Sequence, residues 1–366
     1  SRGLGDVYKR QIYIKNLGGF YMEISMNYVV DILYKLLNIP SPSGNTLKAI
    51  NFVENEFHSL GIKTYKTNKG AIIGTIDGKN KDEEVTLSGH VDTLGGMIKE
   101  IKSNGRLKIT QIGGYPWNSI EGEYCTIESA NDKLYSGTIL TTKASTHVHG
   151  DDTSTLERNE DSIEIRIDEK VKNSEDIEKL GISVGDYVFF DPRVKITDSG
   201  FIKSRHLDDK AGVASILGIA KYLVDNNITP NYTTNFFISN YEEVGHGASA
   251  AIPEKTTKFI AIDMAAPGEG QTSNEYSVTI CAKDSTGPYD LDLKRRLIDL
   301  AKNNNLNYKV DIYPYYGSDG SAALRAGYDF KVGLIGPGVD ASHSFERTHK
   351  EALENTIKLG ILYLTK

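Results

Sequence analysis

The chain has 366 residues, more than the roughly 250–300 at which one hydrophobic core usually stops growing, so two domains are expected. A formal net charge of −7, with no Lys/Arg block and no basic stripe interleaved with aromatics, argues against nucleic acid as a partner. Cys125 and Cys281 are too few and too far apart for a disulfide framework or a thiolate metal site, which fits a reducing cytoplasm, and no apolar run nears the roughly 18 residues of a membrane span.

The opening SRGLGDVYKRQ has neither the apolar stretch nor the small-residue cleavage site of a signal peptide. DVYKRQ matches the translated end of a sequencing-library transposon. Residues 1–25 therefore read as a non-native or disordered leader, with Met22 or Met26 as the natural start. Apolar residues at helical spacing predict a helix over 28–37, stopped by the two prolines of IPSPSG, and a second over 46–60 ending at Gly61. Strands are expected over 71–76 and 85–91, joined by a polar turn. From Gly96 short alternating segments separated by glycine and polar turns predict an all-β insert. A helix returns over 208–223, and strands near 234–239, 259–262, 277–280 and 331–334 then alternate with helices near 291–303 and 351–364. Such alternation predicts a βαβ sheet. The expected organisation is an α/β domain from 26–95 and 198–366, interrupted by a β-barrel-like domain over 96–197.

Five side chains of metal-binding type occur in order: His90 in GHVD, Asp208 in HLDDK, Glu243 in NYEEVGHG, Asp263 in AIDMA and His343 in SHSFERTH. His90 and Asp92 share one face at a predicted strand end, where open α/β sheets gather ligands, so Asp92 can fix the tautomer of a metal-bound His90. A polar strand end facing solvent is the plainer reading. Asp208 and Asp209, taken singly, read as acids favoured at a helix start; a carboxylate there can also bridge two cations, with Lys210 offsetting their charge. Glu242 and Glu243 are delivered by an apolar strand to a glycine-containing turn, where adjacent carboxylates repel unless compensated. Two divalent ions sharing Asp208, one taking His90 and Asp263 and the other Glu243 and His343, would polarise a carbonyl and acidify a water. Glu242, left free, is the candidate base for amide hydrolysis. The donor set suits zinc or cobalt, with manganese also possible.

With IPSPSG, HLDDKAG, GSDGSAALRAG and SHSFERTH in the same order as these five positions, the chain resembles metallopeptidase family 42 from Met26 to Lys366. The resemblance implies a phosphorylase/hydrolase-like α/β domain with an inserted barrel-like dimerisation domain, and homodimers assembling into a homododecamer. It also implies release of N-terminal residues from short peptides. Carried over by motif, His90, Asp208, Glu243, Asp263 and His343 match the ligands, Glu242 the base and Asp92 the partner of His90. The family more often has an Arg-Tyr pair before its last histidine, so His349 competes with His343 here. Rival readings are a dinuclear dipeptidase or N-acyl amino-acid deacylase, and a non-catalytic peptide-binding or assembly protein. His147, His149, His206 and His246 read as loop or turn residues, and Ser318 and Asp319 as candidates for positioning substrate.

Overall fold

The computed structural model describes residues 22–366. Residues 1–21 of the expected leader lie outside the described residues, whereas Met22 is buried against the main core. Helix α1 (Met26–Leu37) buries Val29, Ile32, Leu33, Leu36 and Leu37 on one stripe. Helix α2 (Leu47–Ser59) buries Ala49, Ile50, Val53 and Phe57, and Gly61 follows it at φ +73°, the left-handed geometry that glycine supplies at a helix end. Three strands come next: β1 (Lys63–Lys66), β2 (Ile72–Ile76) and β3 (Asn80–His90).

The chain then leaves the sheet for a closed antiparallel barrel of β4 (Gly95–Ile101), β5 (Leu107–Ile112), β6 (Tyr124–Glu128), β7 (Leu134–Thr141), β8 (Ile163–Ile167) and β9 (Tyr187–Phe190), ordered β4-β5-β8-β7-β6-β9. Alternate residues such as Ile98, Ile109, Ile127, Ile139, Ile165 and Val188 fill its interior. The insert is not all-β: α3 (Thr146–His149) and α4 (Asp152–Thr155) are single turns, and α5 (Ser174–Lys179) buries only Ile177, so none has an apolar stripe to announce it.

A pair of short strands, β10 (Lys195–Ile196) and β11 (Phe201–Ser204), leads back to α6 (Leu207–Asp225), β12 (Tyr232–Ser239), β13 (Thr256–Ile262), β14 (Val278–Asp284) and β15 (Gly287–Pro288). The chain finishes through α7 (Leu291–Asn303), β16 (Tyr308–Ile312), α8 (Asp319–Arg325), β17 (Lys331–Pro337), β18 (Glu346–His349) and α9 (Lys350–Thr365). Among the described residues the main sheet runs β1-β2-β12-β3-β13-β17-β14-β15, with β16 beside β14. Strands β12, β3, β13 and β17 are mutually parallel, and both faces are covered, which is why they read as continuous apolar runs. Period-2 alternation sends Phe236 and Ile260 into the core around α1, α6 and α9, and Phe237 and Ala261 into a second core that includes Ala323 of α8. Parallel pairing also brings the carboxyl ends of β12, β3 and β13 together, with Ser239 opposite His90. Among the described residues no helix is long and apolar enough to cross a membrane.

Candidate metal centre

His90 ends β3 and is 1% exposed. Its Nδ1 lies 2.9 Å from the backbone carbonyl oxygen of Asp92, an acceptor only, so the proton sits there and Nε2 faces the site. The expected carboxylate contact is longer, 3.5 Å to Asp92 Oδ1. The Asp92 carboxylate instead accepts from the backbone N–H groups of Glu242 and Glu243, at 3.1 and 3.2 Å, and from the Ser43 hydroxyl. IPSPSG thus has a structural purpose: Ser43 holds Asp92, and Ser41 donates to the Val91 carbonyl at 2.7 Å.

Asp208 and Asp209 do not begin a regular helix. Their ψ values of 107° and 31° break the helical run at the start of α6, and the peptide between them is cis. Asp209 behaves as the plain reading expects, accepting from Gly212 N–H at 3.1 Å, and it also holds the His90 N–H at 3.2 Å. Asp208 stands between two imidazoles: Oδ1 is 3.2 Å from His90 Nε2 and Oδ2 is 3.3 Å from His343 Nε2. Glu243 Oε2 lies 3.5 Å from the same His343 nitrogen, and Glu242 Oε2 lies 3.7 Å from His90 Nε2. His343 has φ +61°, and its Nδ1 donates to the Gly114 carbonyl of the barrel domain.

Donor atoms therefore gather in two groups, His90–Asp208–Asp263 and Asp208–Glu243–His343, each with its atoms within 4.8 Å of one another. The residues fit divalent cations. His90 Nε2 and Glu243 Oε1 are buried without a hydrogen-bond partner, an arrangement that is costly unless something else engages them. Burial pushes Glu242 and Glu243 well above the usual carboxylate range, and Asp263 to about 7. Neighbouring acids reinforce the effect, chiefly Asp263 on Glu242 and Asp208 on both Glu243 and Asp263. Burial opposes ionisation of both imidazoles too, yet adjacent carboxylates outweigh it, raising His90 well above its ordinary value and His343 to about 11. Asp208 alone among the five is held below the carboxylate range, because His343 and His90 overcome its burial.

Other histidines stay away from both groups. His349 is 2.8 Å from the Ser199 carbonyl through Nε2, accepts from Glu351 N–H through Nδ1 and so caps α9. His246 stacks on Tyr241, His206 precedes α6 at φ +70°, and His147 and His149 sit on α3 outside the donor groups. Lys210 does not offset the two aspartates as expected: its buried ammonium donates to the Ile39 carbonyl at 2.7 Å, and desolvation lowers it to about 7. Asp319 is buried behind the site, accepting from Ser88 and Ser239 hydroxyls and Ala248 N–H at 3.0, 2.6 and 2.9 Å, while Ser318 lines the cavity and caps α8.

Sequence reasoning passed over Glu346 and Arg205. Glu346 Oε1 accepts from His343 N–H at 3.2 Å and Oε2 from Asp208 N–H at 3.1 Å, fixing the backbones of two donors. Its place three residues after His343 was the available signal. Arg205, also buried, donates to the Ser344 carbonyl at 3.2 Å and to the Ser119 carbonyl, and lies 3.1 Å from Glu123 Oε1. It ties the barrel to the loop carrying His343.

The donor groups open onto a cavity of about 910 Å³ lined by Asp208, Glu242, Glu243, Asp263 and His343, with Tyr313 and Tyr316 beyond them. Residues 70–359 match the model of the family described as M42 glutamyl aminopeptidase. The chain is 51% identical to the aminopeptidase YhfE of Bacillus subtilis (strain 168) over 340 residues, covering 93% of this chain and 98% of the relative. Among solved structures, an aminopeptidase from Desulfurococcus kamchatkensis aligns with a TM-score of 0.83 at 20% identity, over 93% of this chain and 95% of that one. Pyrococcus horikoshii TET1 peptidase aligns with a TM-score of 0.81 at 22% identity, over 92% and 99%. The chain belongs to the M42 glutamyl aminopeptidase family, as a hydrolase of the aminopeptidase class.

Proposed function

We propose that this chain is a dinuclear metalloaminopeptidase that releases N-terminal residues from short peptides. The observation that carries the reading is Asp208, whose two oxygens each face a different histidine, so that two donor groups share it at the floor of the cavity. His90 and Asp263 would complete one ion's set, Glu243 and His343 the other's. Mixed imidazole and carboxylate donors suit zinc or cobalt, with manganese possible. Bound there, such ions would polarise the scissile carbonyl and acidify a water at neutral pH.

Glu242 is the proton carrier in this reading. Its carboxylate lines the cavity without belonging to either donor group, and its backbone N–H is held by Asp92. Burial and the neighbouring Asp263, Asp319 and Glu243 carboxylates raise its affinity for a proton against the pull of His90, which favours accepting one at neutral pH and passing it to the departing amine. Asp92 positions both the glutamate turn and the His90 ring. The α/β domain of residues 26–95 and 198–366 would carry this chemistry. The barrel of residues 96–197 would carry dimer contacts, and the similar Pyrococcus peptidase is described as able to assemble into a tetrahedron or a large octahedral shell. The expected assembly is a homodimer building a homododecamer, as in a similar structure described as a dodecamer, and the two buried, unpaired cysteines fit a reducing cytoplasm. Sedimentation velocity reads the assembly directly.

Glu242→Gln tests the mechanism. Hydrolysis should fall roughly 10²- to 10⁴-fold while metal content is unchanged; unaltered turnover would remove Glu242 as the base. N-acetylated copies of each substrate separate the readings further. Cleavage confined to free amines supports the aminopeptidase, and cleavage of acetylated copies supports a deacylase.

A further inference from the structure

Away from the donor groups the cavity wall changes character. Tyr313 and Tyr316 form one side, their ring centroids 5.3 Å apart, and Met264, Ala266 and Ala322 adjoin them. Both phenols are already engaged within the protein. Tyr313 OH pairs with Ser273 Oγ at 2.6 Å, and Tyr316 OH donates to the Met264 carbonyl at 2.9 Å. Tyr313, Met264 and Ala322 are buried, so what the wall offers an incoming group is mainly the half-buried Tyr316 ring and the Ala266 methyl. Apart from Asp208, Glu243, Asp263, His343 and Glu242, the cavity has Gln271, Ser318 and Ser342 as uncharged polar liners, and its charged liners among the described residues are Glu269 and Arg325. They have opposite sign, and both are exposed at its rim.

We propose that the wall formed by Tyr313, Tyr316, Met264, Ala266 and Ala322 is the subsite for the side chain of the substrate's N-terminal residue, and that it selects uncharged apolar or aromatic residues. This rests on the aminopeptidase reading above. With the scissile carbonyl over the two donor groups, the wall beside Asp263 is within reach of the adjoining side chain. Met264 follows Asp263 directly, and Tyr316 reaches the Met264 carbonyl. A leucine, methionine or phenylalanine side chain there exchanges water for ring and methyl contact. A carboxylate or ammonium there would be partly desolvated with no opposite charge in the wall, which is unfavourable. Glu269 and Arg325, exposed and opposite in sign, supply no deep counter-charge for either.

The test is a panel of peptides identical except for an N-terminal Leu, Met, Phe, Ala, Glu, Asp, Lys or Arg, assayed for release of that residue by the metal-loaded enzyme. Leu, Met and Phe should lead Glu and Lys by roughly 10-fold or more in kcat/KM. Leadership by Glu, Asp, Lys or Arg would overturn the proposal and leave the aminopeptidase reading intact. Failure to cleave any peptide would overturn both. Ala266→Phe, which narrows the wall, should lower the Phe-to-Ala preference roughly 10-fold relative to the native enzyme, with the Ala peptide reporting that the variant is folded and loaded. An unchanged preference ratio would remove the wall as the subsite.

Discussion

At the level of single residues, neighbours of the same type have divergent tasks. Asp208 and Asp209 are consecutive acids before one apolar helix, and helical periodicity assigns both to its start; only the non-helical backbone at these positions sends one carboxylate to two imidazoles and the other to cap Gly212. The two histidines of SHSFERTH divide in the same way, His343 facing Asp208 and Glu243 while His349 caps α9. His343→Ala should therefore reduce bound metal from two ions to one and lower activity by more than the roughly 100-fold that bounds the loss of an outer partner. His349→Ala should retain both ions and lose about 1 kcal/mol of stability, the usual cost of a helix cap. Metal analysis beside urea unfolding of both variants decides it: loss of an ion in the His349 variant would reverse the assignment. The candidate donors and Glu242 could be proposed from residue type and order because β3 ends in His90, β13 leads directly to Asp263 and β12 leads into the turn of Glu242 and Glu243. Arg205 and Ser43 could not, since each acts through a contact made between residues distant in the chain, and Glu346 offered only its place three residues after His343.

Among elements, the parallel strands were legible and the edges were not. β3, β12, β13 and β17 are buried on both faces and appear as apolar runs, whereas β1, with the sequence KTYK, is a mostly exposed edge strand and carries no alternation to detect. The turn after β12 shows how such strands place a site. Its glutamates are held from the front by Asp92, and the following residues are held from behind by Asp319 and by Lys69, whose ammonium donates to the Gly247 carbonyl at 3.0 Å and Ser249 Oγ at 3.3 Å. Gly247 is needed at the point of closest approach. A Cβ there would stand 2.2 Å from Asp319 Oδ1, 2.8 Å from Ser239 Oγ and 3.0 Å from Glu242 N. Asp319 is fixed by three hydrogen bonds and cannot swing aside, so Gly247→Ala should displace the turn. Displacement on this scale predicts about a 10²-fold fall in kcat/KM with the circular dichroism spectrum retained. A variant with native kinetics would show that the turn does not position Glu242 and Glu243.

Across the whole molecule, the acidic cluster couples metal binding to stability. In metal-free protein Asp263 is raised from 3.8 to about 7 and Glu346 from 4.5 to about 8, with Glu242 and Glu243 well above their ordinary values, in each case chiefly by burial. The unfolded chain releases those protons near pH 4, so between about pH 4 and 7 the native state holds protons that the unfolded state has lost. Stability then falls as pH rises, by about 1.4 kcal/mol per pH unit for each proton so held. Asp208 has the opposite sign, but its window lies below pH 4; His206, lowered by burial and by Lys210 and Arg205, also runs the other way, as one group against several. Metal binding requires ionised carboxylates and replaces the protons on the donors Asp263 and Glu243, which removes their share of this slope. The gap in unfolding free energy between metal-loaded and metal-stripped protein should therefore widen from pH 5 to pH 7, by at least about 1.4 kcal/mol per unit if a single donor proton is displaced. Denaturant unfolding at pH 5, 6 and 7 with and without saturating zinc measures the gap. One that stays flat or narrows would mean that the buried acids are not what the metal engages.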